Sequence, residues 1–346
     1  MSQMEQFSMN TLPRTKSNRA ILFCMILCML FCVACSSPEE TKANISVSGI
    51  YFDTFVSITA YDDTSKEVLD DALQLCADYE KVFSGTMEGS ELRLYNESIQ
   101  KEEGIRLSKD MTYVVDAGIK YGDLSEGRFD IALGNVTQLW DFHSQTPTVP
   151  DKALVKEAVA HSGSNHLKLT EDVLKSDDSL VNLDLGGIAK GYIANRVRDY
   201  LVGQGCKEAV IALGGNIVCI GDKGGRGYTV GITKPFETAN TATEINVADT
   251  SVVTSGVYER CFEDNGVLYH HIIDSDTGYP AETDLLSVTI VCGDSMKADA
   301  FSTTVLMMGE EEGEEFLAEQ IFEESTEYPI TKAILINDRQ QITVIE

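Results

Sequence analysis

The stretch Asp184–Arg196, "DLGGIAKGYIANR", places two glycines ahead of a lysine and a third directly after it. Upstream, Val181, Leu183 and Leu185 alternate, which predicts a strand carrying Asn182 and Asp184 on its other face. Downstream, Ile193, Val197, Tyr200 and Leu201 mark the buried side of a helix, so Lys190 falls at a helix N-terminus. Free N–H groups and the helix dipole at such an end favour an anion. Two readings stand: a tight turn and nothing more, or a backbone cradle for a phosphate-bearing ligand. A Walker A loop is excluded, because Gly191 follows Lys190 where that motif needs Ser or Thr.

Around this junction strands and helices do not alternate strictly. From His166 onward strand-like stretches dominate, among them "EAVIAL", "NIVCIG", "YTVGIT", "LLSVTIVC" and "KAILIN", with helices only after Gly187 and after Lys297. The turn "GDKGGRG" predicts a hairpin between two of these strands. Ahead of the junction, "SVSGIYFDTFVSITAYD" alternates as a strand pair, and an amphipathic helix is predicted from about Ser65 to Val82. Ser108 reads as the N-cap of another helix. The pattern predicts an α+β fold, with mixed or antiparallel sheets flanked by helices, over a doubly wound one.

At the N-terminus, Arg14, Lys16 and Arg19 precede the apolar run "AILFCMILCMLFCVA", which stops at Cys35. About 15 apolar residues suit a secretory signal better than a membrane span, which needs about 20. Val33, Ala34 and Cys35 resemble a bacterial lipobox, although Cys32 stands where Leu is usual. The expected organisation is a lipoprotein signal over 1–35, a polar tether over 36–45 and a catalytic domain over 46–346, lipid-anchored at Cys35 on the extracytoplasmic side of a bacterial membrane. The alternatives are an uncleaved anchor and an ordinary cleaved signal.

The chain of 346 residues sets 27 Lys and Arg against 55 Asp and Glu, a formal charge of −28. No basic stripe exists, so nucleic acid is not an expected partner. Cys76, Cys206, Cys219, Cys261 and Cys292 show no CxxC spacing and read as small buried residues.

Two further stretches carry possible chemistry. In "LYHHIIDSDTGYP", adjacent histidines on a strand face opposite ways, so at most one serves a given site. His271, with Asp274 to orient it, suits a general base, and a structural histidine is the plainer alternative. In "KADAFSTTVLMMG", Asp299 and Thr303 lie one helical turn apart, and their oxygens are hard donors suited to Mg²⁺. Asp299 is equally readable as a helix-start charge.

Taken in order, "DLGGIAKGY", "ALGGNI", "TSGVYERCF…YHHIIDSDTGYP" and "KADAFSTTVLMMG" resemble the ApbE family of FAD:protein FMN transferases. "FDT", "FSGTMEGSELRLYN" and "GRFDIALGNVTQLWDF" extend the resemblance through the N-terminal half, over about Ser46 to Gly309. It implies an enzyme that binds FAD and Mg²⁺, moves FMN to a Ser or Thr hydroxyl of an acceptor flavoprotein, and releases AMP. Mg²⁺ would be held by the Gly187 carbonyl, Asp299 and Thr303. Asp184, Lys190 and Ile273 would contact FAD; Phe129 and Asp130 would line the flavin or adenosine pocket, with Phe52 and Thr86 nearby; His271 would be catalytic. Ser275 replaces a usual proline, which implies a looser turn, and Thr86 replaces a side chain that is often large. The competing readings are an FAD pyrophosphatase using water at the same site and a non-catalytic flavin-binding lipoprotein. A redox flavoenzyme is disfavoured, since no GxGxxG fingerprint occurs.

Overall fold

Strands Ile45–Tyr51 (β1) and Thr54–Ala60 (β2) pair antiparallel across a two-residue turn, Phe52–Asp53, in which both residues take positive φ, 52° and 55°. That hand of turn matches the twist of the strands it joins. A computed structural model describes residues 44–346 apart from 143, 145 and 322–327. The expected signal peptide, most of the tether and Cys35 lie outside the described residues. β1 begins inside the expected tether, at Ile45.

After the hairpin come α1 (Lys66–Phe83), α2 (Glu91–Glu97), β3 (Ile105–Arg106), α3 (Lys109–Leu124), α4 (Gly134–Trp140), α5 (Lys152–Ala160), β4 (Leu167–Thr170), β5 (Val173–Ser176) and α6 (Ala189–Gly203). The second half runs β6 (Ala209–Leu213), β7 (Asn216–Ile220), β8 (Tyr228–Lys234), β9 (Glu237–Val247), β10 (Thr250–Gly256), β11 (Cys261–Asp264), β12 (Val267–His270), β13 (Leu285–Cys292), α7 (Ser295–Met308), α8 (Glu310–Ile321), β14 (Ile330–Asn337) and β15 (Ile342–Ile345). The cap predicted at Ser108 forms, its Oγ accepting from the Met111 N–H to open α3, and Ser65 Oγ caps α1 in the same way by accepting from the Val68 N–H.

One eight-stranded sheet, in the order β1-β2-β6-β7-β10-β13-β14-β15, organises the molecule, and each neighbouring pair is antiparallel. Ile58, Ile211, Val218, Val253 and Val288 bury one face beneath α1, α6 and α7 through Leu69, Ile193, Val197, Phe301 and Val305. Tyr228, Val230 and Ile232 of the β8–β9 pair cover the other face at Cys219, Val252, Val291 and Ile334. The fold is thus α+β, as expected, with helices on one side and a two-stranded cover on the other. Because helices pack around it as well as the sheet below, α7 is buried on almost every side, from Ser295 to Leu306. The five cysteines of the described chain are free thiols, and all but Cys261 are buried.

Two local expectations are corrected. "GDKGGRG" does not join a hairpin, because β6 and β10 already occupy both edges of β7. The chain instead lifts out of the sheet, and β8 pairs with β9. Nor is the run ahead of Gly186 a strand. Residues 181–185 keep the alternating burial of a strand but have no ladder partner; side chains and short backbone contacts replace one.

Candidate active site

Three elements meet at the glycine-rich junction. The Asp184 N–H donates to the Ile131 carbonyl at 2.8 Å, and the Gly134 N–H donates to the Asn182 carbonyl at 2.9 Å. Asp184 Oδ1 accepts from the Gly186 N–H at 2.8 Å, which tightens the turn. α6 then starts at Ala189 with Ile188 as N-cap, a side chain with nothing to offer the exposed amides. The cap comes from another helix: Asp299 Oδ2, on α7, accepts from the Gly191 N–H at 2.9 Å. A Cβ on Gly191 would lie 2.3 Å from the Ser295 carbonyl oxygen, so only glycine lets the two helix starts abut. The expected cradle of free amides is therefore largely spent inside the protein. Ile188 and Ala189 both donate to the Leu185 carbonyl, and Gly191 donates to Asp299. Positive charge at the junction is left to Lys190, whose Nζ donates to the Gly186 carbonyl at 2.7 Å.

Asp299 is buried, and Thr303 follows it one turn later. The Thr303 hydroxyl meets the Asp299 carbonyl oxygen and Ser255 Oγ, each at 3.2 Å. Gly187 faces the same place, since a Cβ there would sit 3.8 Å from Thr303 Oγ1 and 3.1 Å from the Phe129 ring. One carboxylate, one hydroxyl and one nearby backbone segment make a sparse set of hard oxygens. Among the described residues no group of three or more His, Cys, Asp or Glu is placed to hold a metal. That donor set fits an ion which keeps several waters, as Mg²⁺ does, and not a caged one.

Across from Lys190 stand residues of the β11–β12 hairpin and its approach. The His271 N–H donates to the Arg260 carbonyl at 3.0 Å, extending that hairpin by one pair. Burial, reinforced by Arg260, Lys190 and His270, pulls the His271 imidazole down to about 3, so it is neutral at pH 7. Burial likewise takes His270 down to about 4. Nδ1 of each ring is buried without a hydrogen-bond partner. The expected His271–Asp274 contact does not form, because Asp274 Oδ1 accepts from the Asp276 and Thr277 amides. That turn is closed by a 2.9 Å bond from Gly278 N–H to the Asp274 carbonyl, despite Ser275 in place of proline.

Sequence reasoning passed over Glu259. Desolvation raises its carboxyl, and Lys190, Asp299 and Arg260 all act on it, so it belongs to the same charged group. Its Oε1 would be 3.4 Å from a Cβ on Gly215, which ties the "ALGGNI" loop to this wall. The available signal was an adjacent Glu and Arg directly beyond a core strand, in "SGVYERCF".

The remaining expected contacts are more scattered. The Phe52 N–H donates to Glu80 Oε1 at 2.8 Å, fixing the hairpin turn to α1, and the Gly214 N–H reaches the Phe55 carbonyl at 3.3 Å. Thr86 is exposed on the loop after α1, with its N–H on Ser84 Oγ at 3.2 Å. Phe129 is buried against Gly187. Asp130 spends its carboxylate on the Ala132 and Ser164 amides, at 2.7 and 2.9 Å, and on the Ser164 hydroxyl. Ile273 is buried in a satellite cluster with Val136, Trp140 and Ala158. Asp184, Lys190, Gly187, Asp299, Thr303, Phe129 and His271 thus gather at one place, while Asp130 and Ile273 brace it.

Comparison with known proteins bears on the family and the fold. The model of the ApbE family matches residues 52–325. A FAD:protein FMN transferase of Klebsiella pneumoniae is 35% identical over 212 residues, 60% of this chain and 66% of that protein. A FAD:protein FMN transferase of Vibrio cholerae is 30% identical over 293 residues, 82% of this chain and 86% of that one. The crystal structure of the ApbE protein from Thermotoga maritima superposes with a TM-score of 0.78 at 26% identity, covering 88% of this chain and 97% of that chain. The family match and these relatives put the chain in the transferase class of enzymes. The chain belongs to the ApbE family.

Proposed function

We propose that this enzyme transfers FMN from FAD to a Ser or Thr hydroxyl of an acceptor flavoprotein, with AMP as leaving group, in a Mg²⁺-dependent reaction. The observation that carries this reading is the meeting of Asp299, Thr303 and Gly187 beside Lys190, with a neutral His271 electrostatically coupled to that lysine. The acceptor oxygen bonds to the phosphorus of the FMN half, the anhydride P–O bond breaks, and AMP departs with the electron pair. Bound Mg²⁺ would neutralise the diphosphate and act as Lewis acid. Gly187, Asp299 and Thr303 are the residues that would hold it; Asp299 Oδ2 is committed to Gly191, which leaves its other oxygen for a cation. Lys190 attracts and orients the diphosphate. Burial, with Arg260 and Lys190 adding to it, keeps the His271 imidazole neutral, so a ring nitrogen is free to accept the hydroxyl proton.

Anchoring through a lipid on Cys35, facing the extracytoplasmic side, belongs to the same reading, supported by the basic flank, the short apolar run and the lipobox-like residues. The acceptor would then be an extracytoplasmic flavoprotein. The deciding experiment incubates the purified protein with FAD, Mg²⁺ and a candidate acceptor domain. A mass gain of one FMN phosphoester on the acceptor, with AMP released, is expected. AMP and free FMN with an unlabelled acceptor would show hydrolysis instead.

A further inference from the structure

Residues 181–185 carry the chain into the site without any strand partner, so something else must set their position. Beside the backbone bonds at Asn182 and Asp184, four side chains do so. Asn96, in α2, grips Leu183 at two points: Oδ1 accepts from its N–H at 2.8 Å and Nδ2 donates to its carbonyl at 2.9 Å. Lys101, in the turn after α2, is 1% exposed, and its Nζ donates to the Asn96 carbonyl at 2.9 Å and to Asn182 Oδ1 at 2.8 Å. Asn182 Nδ2 passes the chain on to Asn135 Oδ1 at 2.7 Å, and Asn135 Nδ2 bonds the His161 and Leu180 carbonyls at 2.8 Å.

A buried lysine is expensive and persists only where its donors are used. Burial pulls Lys101 down to about 8, which leaves it a cation at neutral pH. Its ammonium also lies 5.6 Å over the Tyr95 ring. No core requirement explains a charge here, because a methionine of similar length would fill the same space. What methionine lacks is the donor that ties the end of α2 to Asn182, two residues before Asp184 and five before Gly187.

We propose that Lys101 is a positioning residue: through Asn182 and Asn96 it sets the register of residues 182–187, and so places Asp184 and the Gly187 carbonyl for the diphosphate and its cation. This inference rests on the transferase reading but concerns binding, so it is tested without an acceptor. The measurement is quenching of FAD fluorescence on titration with the protein, with and without Mg²⁺, beside thermal melts and steady-state kinetics. In Lys101→Met, Mg²⁺-supported FAD binding and the KM for FAD are expected to weaken about tenfold, with kcat at saturating FAD held within about threefold. Should that variant not fold, Asn96→Asp carries the test; it keeps the shape and the acceptor for Leu183 N–H but loses the donor to the Leu183 carbonyl, and the same weakening is expected. Binding within twofold of wild type in a folded variant, with only a lower melting temperature, makes the network structural and overturns the proposal. Wild-type protein that binds no FAD with Mg²⁺ overturns the transferase reading and this inference together.

Discussion

Asp299 does two jobs, and its substitutions should separate them. Its Oδ2 caps α6 through the Gly191 N–H, while its charge is the anionic donor proposed for the cation. Asn can still accept from that N–H, so Asp299→Asn should keep the melting temperature nearly unchanged and lower Mg²⁺-dependent turnover at least a hundredfold. Asp299→Ala removes the cap as well and should cost about 1 kcal/mol of stability. Equal turnover in wild type and Asp299→Asn would remove the metal role. The histidines make a prediction in pH. Both have folded pKa values below the unfolded value of about 6.5. The unfolded chain therefore binds these protons first, so the contribution of both histidines to stability is full above about pH 7 and falls as pH drops from about 6.5 toward about 4 for His270 and about 3 for His271. Thermal melts across that window should show the loss, and His270→Gln should shallow it by about one proton. An unchanged slope would mean other groups govern it.

At the scale of elements, the decisive contact is the crossing of the starts of α6 and α7. The Gly191 Cβ would fall 2.3 Å from one backbone atom of α7 and 2.6 Å from another, and backbone cannot rotate away. Gly191→Ala is expected to force the two helices apart, at a cost of at least 1–3 kcal/mol, and to displace Asp299 from Lys190. Gly203→Ala in the same helix has no atom within 4 Å of the added Cβ and serves as the neutral control. Denaturant melts of the pair, with FAD binding on each, test the point; similar stability in both variants would contradict the close crossing. The helices themselves were legible, because Ser65 and Ser108 are caps and their apolar residues recur at helical spacing. The 181–185 segment misled, because alternation reports one buried face and says nothing about whether a partner strand exists. Here Asn96 and Ile131 take that partner's place.

For the whole molecule, a formal charge of −28 makes an anionic membrane surface repulsive, so the proposed membrane location depends on the lipid alone. Among the described residues no helix is long and apolar enough to cross a membrane. Cys35→Ala should therefore abolish incorporation of labelled fatty acid in cells making the protein. Label retained in that variant would place the lipid elsewhere. Against that net acidity, Lys190 and Arg260 are the cations that act on His271, so attraction for a diphosphate at the site falls to them.

What the order of residues determined by itself was local: the helix caps, the alternation of the core strands, the α+β class, and a set of motifs whose sequence and separation resemble one family. Each depends on neighbours within a turn or a strand, which a linear reading can see. Only the tertiary structure decided that Asp299 caps α6, that Asp274 does not orient His271, that Glu259 joins the charged cluster, and that Lys101 bonds Asn182 ahead of the glycine-rich loop. Two of those contacts, Lys101 to Asn182 and Gly191 to Asp299, link residues 81 and 108 positions apart. Chain spacing carries no information at that range; the packing of helices on a shared sheet supplies it.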